Sequence, residues 1–175
     1  MKNLLILLSG IIFFSCSNQN KLSQPKYRLE DYQGNKILVG EITTEVLWKQ
    51  NQDWKEDYDN FKPDLVVVGK FLNISRPFHI ICILGTWCSD SREGVIPFLR
   101  TLDSANNSNL SITLYAVDRQ KHDPFETAKK YDVDRVPTFI IFSGNKEIGR
   151  MIEFPESSFE TDFLNILEIN GLVED

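Results

Sequence analysis

Beyond the N-terminal segment, the densest apolar stretch of the chain is Ile80-Ile81-Cys82-Ile83-Leu84, opened by His79. It is short and β-branched, which predicts one buried strand and is too short for a buried helix. The run breaks at Gly85, and beyond it Val95, Ile96, Phe98, Leu99 and Leu102 recur at helical spacing. That helix is expected to start at Asp90 or Ser91, both good N-cap residues, with Glu93 as an early acid. Downstream, Ser111 to Val117 alternates and reads as a strand, and Pro124 opens a short helix through Tyr131. Pro137 to Phe142 is a strand joined by a Ser143-Gly144-Asn145-Lys146 turn to its partner, Glu147 to Ile152. Pro155 to Ser158 introduce a last helix with Phe159, Phe163, Ile166 and Leu167 on one face.

Upstream the pattern is mixed. Asn35 to Gly40 fits a short strand, Glu41 to Asn51 a helix, and Asp53 to Phe61 a second helix with Trp54, Tyr58 and Phe61 inward. Lys62-Pro63-Asp64 ends it. Leu65 to Leu72 reads as a helix, although its Val66-Val67-Val68 run favours a strand. Trp48, Trp54 and Phe61 are expected as core aromatics.

The first fifteen residues hold one lysine and then an apolar run of about a dozen, too short to span a bilayer comfortably. They read as a signal peptide. Ser15-Cys16-Ser17 resembles a bacterial lipoprotein cleavage site, which implies acylation of Cys16 and a lipid-anchored protein of the cell envelope, facing the periplasm or the exterior. Phe13 and Phe14 depart from the commoner residues there and leave a simple membrane anchor or a plain secretory signal open. Residues 16–26 are then the lipidated cysteine and a polar tether, 27–74 an N-terminal extension packed on the domain, and 75–175 the principal domain.

Charge narrows the functional classes. The net charge is −6, and without residues 1–15, which carry one lysine and no acid, it becomes −7. With no basic block, nucleic acid is not an expected partner. His79 and His122 are too separated for a metal site, and no Cys/His cluster exists, so neither metal nor cofactor is expected.

The chemistry falls to Cys88. It stands after a buried strand and at the mouth of a helix, where unpaired N–H groups and the positive end of the macrodipole favour a thiolate. Asp90 opposes negative charge there, and Arg92 favours it. Strand, Trp87-Cys88-Ser89-Asp90-Ser91, helix, and later Val136-Pro137-Thr138 leading into a second strand resemble the thioredoxin superfamily over residues 75–169. The resemblance implies an α/β, three-layer fold, a central mixed sheet flanked by helices, here with an N-terminal helical extension. It implies that Cys88 attacks disulfides, that Trp87 shapes the groove beside it, and that Pro137 is a cis-proline with Val136 and Thr138 lining a substrate groove. The implied partners are protein or small thiol and disulfide substrates, with the lipid membrane engaged through Cys16.

Ser91 stands where the superfamily usually has its second cysteine. A hydroxyl cannot resolve a mixed disulfide. Two functions therefore remain: monothiol exchange through Cys88 completed by an external thiol, or a redox-silent binding module using the proline groove. Cys82 occupies a position that is often acidic in the superfamily. It reads as an inert strand residue, with the alternative that it lies beneath Ser91 and resolves Cys88 after a local opening.

Overall fold

The structure is a computed structural model that describes residues 26–172. The expected signal segment, the Cys16 acylation site and residues 17–25 of the tether lie outside the described residues.

The apolar run forms β3 (Phe78–Leu84), central and buried on both faces. It pairs in parallel with β4 (Leu110–Ala116) and antiparallel with β5 (Thr138–Ser143). β6 (Lys146–Ile152) is the hairpin partner of β5, turning through Gly144 at φ 58°. On the far side β2 (Asn35–Ile42) runs antiparallel to β4, and β1 (Tyr27–Tyr32) lies outside β2. The order β1-β2-β4-β3-β5-β6 makes a mixed α/β sheet with apolar clusters on both faces.

β1 is absent from the sequence expectations. Its residues, Tyr-Arg-Leu-Glu-Asp-Tyr, carry charge without clean alternation, as suits an edge strand that must not recruit another chain. Only Gly40, Glu41 and Ile42 of β2 pair with β4. Asn35 to Val39 continue past Ala116, beyond the carboxyl ends of β3 and β4, for about 17 Å. The β1–β2 hairpin is therefore an arm overhanging that end of the sheet.

Three helices follow the arm: α1 (Thr44–Gln50), α2 (Gln52–Asn60) and α3 (Leu65–Leu72). The Val66-Val67-Val68 run is helical because Asp64 caps it, its carboxylate accepting the Val66 N–H at 2.7 Å. α3 is held to the turn after α4 (Ser89–Ala105) by Asn107, whose amide donates to the Phe71 and Ile74 carbonyls, both at 2.8 Å. Arg92 joins α4 to α2 through Asp53 (2.5 Å) and Asp57 (2.6 Å). The segment 27–74 thus supplies two strands of the sheet as well as three helices, so it is more than a helical extension.

Two helix starts differ from expectation. The N-cap of α4 is Cys88, with extended backbone (φ −108°, ψ 124°), because its N–H bonds the Gly85 carbonyl and its own carbonyl accepts from Arg92 N–H. The helix expected from Pro124 is only α5 (Thr127–Lys130). Asp123 accepts the N–H groups of Phe125 and Thr127, both at 2.7 Å, and Glu126 turns left-handed at φ 50°, so the chain makes a loop first.

β3 alternates between two apolar layers. Ile80, Cys82 and Leu84 join the layer formed with α4 and α6 (Phe159–Ile169), built on Phe71, Phe98, Phe139 and Phe163. Ile81 and Ile83 join the opposite layer with Val117, Ala128 and Val136. α4 and α6 approach closely at Gly94, where a Cβ would lie 2.4 Å from the Phe159 ring. Burial of each such Phe contributes about 1.5–3 kcal/mol.

Candidate functional site

The site lies where β3 ends and α4 begins. Cys88 is half-buried, and no side chain caps the first turn of α4, so its free N–H groups and the helix dipole bear on the sulfur. The Cys88 Sγ lies 3.6 Å from the Val136 carbonyl oxygen and 3.9 Å from Asp90 Oδ2. Both are acceptors for one S–H, which serves one of them at a time. The Val136–Pro137 peptide is cis, and the Pro137 carbonyl accepts the Glu153 N–H at 2.8 Å. The proline loop is thereby tied to the segment between β6 and α6.

Trp87 is fixed from two sides. Its indole N–H donates to the Val117 carbonyl at 2.8 Å, and its ring covers Gly85, where a Cβ would come within 2.6 Å of the ring. The Arg119 guanidinium sits 4.9 Å from the Trp87 ring and 4.5 Å from the Tyr32 ring at the end of the arm. The arm is bonded to the motif as well, since Leu38 N–H donates to Thr86 Oγ1 at 3.1 Å. Between arm and motif lies a polar cavity of 460 Å³ lined by Tyr32, Lys36, Asp53, Thr86, Trp87 and Arg119, among others.

Ser91 is fully buried, and its Oγ accepts the Gly85 N–H at 3.1 Å. Val136 and Thr138 are buried too, and the Thr138 hydroxyl donates inward to the Arg135 carbonyl at 2.7 Å. What this loop offers beside the sulfur is backbone, the Val136 carbonyl. The Arg92 guanidinium is engaged by Asp53 and Asp57 of α2. Cys82 is fully buried in the layer of α4, whereas Cys88 packs with the layer on the other face of the sheet. Burial pushes the Cys82 thiol far up from its ordinary value. Both cysteines are free thiols.

The sequence brought Cys88, Trp87, Ser91 and Pro137 to attention, but not Tyr32 or Arg119. Nothing local distinguishes a loop arginine that reaches two rings from distant strands and turns. His79 bonds Ser111 and Thr113, and His122 lies 3.7 Å from Asp118. Among the described residues no group of three His, Cys, Asp or Glu side chains is placed to share a metal ion. No described helix is long and apolar enough to cross a membrane.

A second cavity, of 550 Å³, starts at Asp90 and runs along α4 past Glu93 and Pro97 to Thr101. Its other walls are the start of α3 and the segment Glu153 to Thr161.

No curated protein matches the chain. Among solved structures, an HIV 4E10 epitope-scaffold is 12% identical with a TM-score of 0.53, over 73% of this chain and 86% of that one. Thioredoxin O2 from Arabidopsis thaliana is 18% identical with a TM-score of 0.40, over 58% of this chain and 84% of that one. Thioredoxin-2 of a malaria parasite is 18% identical with a TM-score of 0.42, over 55% and 86%. The family model described as Thioredoxin matches residues 41–161, beginning inside β2, well before the residues that first suggested the likeness. The chain belongs to the thioredoxin superfamily, as a member with serine three residues after the motif cysteine.

Proposed function

We propose that the chain is a lipid-anchored, extracytoplasmic thioredoxin-like protein that exchanges disulfides through Cys88 alone. The observation that carries this reading is the contrast within one helical turn. Cys88 is a half-exposed free thiol beside the Val136 carbonyl, while the position that would resolve it holds a buried hydroxyl bonded to Gly85. In the first step the Cys88 thiolate attacks one sulfur of a client disulfide. A new S–S bond forms, and the other client sulfur leaves as a thiolate and takes a proton. An external thiol then attacks the Cys88 sulfur and releases the reduced client. A second external thiol frees Cys88, the two ending as one disulfide.

The test is incubation with a peptide disulfide, with Cys88→Ser as the blank. The mixed disulfide should accumulate until a small monothiol is added; full turnover without one overturns the monothiol reading. For the anchor, Cys16→Ala should release the protein from the membrane fraction or leave the signal uncleaved. A processed variant that still fractionates with membranes overturns it.

A redox-silent binding module is the second reading. It is favoured by the Asp90 carboxylate 3.9 Å from the sulfur, which repels negative charge there. A Cys88 thiol inert to neutral disulfides would decide for it.

A further inference from the structure

We propose that the 550 Å³ cleft along α4 is the client-docking surface, and that it selects extended segments carrying arginine or lysine beside apolar residues. That the occupant is a cysteine-bearing client rests on the reading of Cys88 as the exchanging thiol.

The position of the cleft comes first. Asp90 lines it and also lies 3.9 Å from the Cys88 sulfur, so one carboxylate serves both the end of the cleft and the surroundings of the thiol. Its α4 wall, Asp90, Glu93, Pro97 and Thr101, is one helix face about 16 Å long. About five residues of extended chain span that distance.

Charge specifies the occupant. Five carboxylates line the cleft, those of Asp64, Asp90, Glu93, Glu153 and Glu160, against one amine, Lys62. Among the described residues only Glu153 of these five has an ion-pair partner, Arg135 at 2.6 Å. Glu160 is buried at the cleft, with one oxygen accepting from Thr101 Oγ1 at 3.2 Å. Pro97 has no N–H, so the Glu93 carbonyl lacks its helical donor on the face that lines the cleft. These acceptors without a matching cation call for a cationic, donor-rich ligand.

The walls between the charges are apolar: Phe61, Val67, Pro97 and Phe154. Phe154 is 66% exposed at the lip and has unused surface for an apolar client side chain. Phe61, Lys62, Asp64 and Val67 come from the N-terminal segment, so the cleft combines that segment with α4 and α6.

The test uses two five-residue peptides, each with a terminal cysteine carried as a thiopyridyl disulfide and leucine within. One ends in arginine and the other in glutamate, and each is made in both orders. At low salt the basic peptide should load Cys88 about tenfold faster than the acidic one, and the ratio should shrink in high salt. Glu93→Lys should bring the ratio near one. Glu147→Lys, with the same charge change at the opposite end of the sheet, where β6 lies near the start of β3, should preserve it. A ratio near one in the natural protein, or one unmoved by Glu93→Lys, overturns the proposal.

Neutral dithiodipyridine separates the two readings. If it fails to react with Cys88, the exchange reading falls. The cleft is then judged by fluorescence anisotropy of the same peptides with serine for cysteine. Preferential binding of the basic peptide sustains the docking surface for a binding module, and equal binding overturns it.

Discussion

Ser91 and Gly85 are joined by a 3.1 Å hydrogen bond from the Gly85 N–H to the Ser91 hydroxyl, buried one turn into α4. The bond closes the end of β3 against the start of the helix. It leaves a hydroxyl, where a thiol would be needed for an internal disulfide, one turn after Cys88.

Ser91→Cys is predicted to convert the site. Residues one turn apart lie within the about 4.4–6.8 Å separation that a disulfide spans between Cα atoms. The variant should form an 88–91 disulfide on oxidation and gain insulin reductase turnover that Cys88→Ser lacks. Loss of the Gly85 partner should cost about 1–3 kcal/mol of stability. A variant that folds yet forms no 88–91 disulfide contradicts the geometry described for this turn.

Asp90→Asn should raise the rate at which iodoacetamide alkylates Cys88, since the carboxylate 3.9 Å away repels negative charge on the sulfur. Alkylation kinetics followed by intact mass give the answer. An unchanged or slower rate would mean that the first-turn N–H groups alone govern the sulfur.

Cys82 should be silent in the native protein and react only on unfolding, as peptide mapping after alkylation would show. Its thiol is raised by burial, so the folded state binds its proton more tightly than the unfolded state does. The sign follows: stability is complete below the ordinary value of 9.0 and falls as pH rises above it, by about 1.4 kcal/mol per pH unit. Cys82→Ala should flatten that alkaline loss in urea denaturation at stepped pH. An equally steep loss in the variant would exclude Cys82 as its source.

Gly94→Ala separates helix propensity from packing. Alanine is the better helix former by about 1 kcal/mol, so an uncrowded site would gain stability. Here the added Cβ would lie 2.4 Å from the Phe159 ring, and overpacking should win by about 1–3 kcal/mol. Thermal denaturation should show a Tm lower by several degrees, and a higher Tm would mean that α6 yields freely.

The parts of the fold written in local pattern were legible from sequence. β3 announces itself by β-branched continuity, α6 by its apolar face, and the β5–β6 hairpin by Gly144. β1 was not legible, because an edge strand with charge on both faces has no period to detect. The start of α4 was misplaced by its own good capping residues. Asp90 and Ser91 lie inside the helix, one beside the sulfur and the other bonded back to Gly85. Arg92 read as a local cation for Cys88, and only the packing of α2 shows where its charge goes. Arg119, and the cleft between α3, α4 and α6, arise from contacts across distant parts of the sequence, which no local rule registers.

The separation of the two thiols has a further consequence under oxidants. A peroxide meeting Cys88 converts it to a sulfenic acid, which ordinarily survives by condensing with a neighbouring thiol. Here the adjacent turn holds a hydroxyl, and the other thiol among the described residues, Cys82, lies in the opposite layer of the sheet. Among the described residues no second thiol faces the sulfenic acid, so an incoming thiol competes with irreversible passage to the sulfinic state. The fold leaves the durability of its half-exposed thiol to the thiol supply around it.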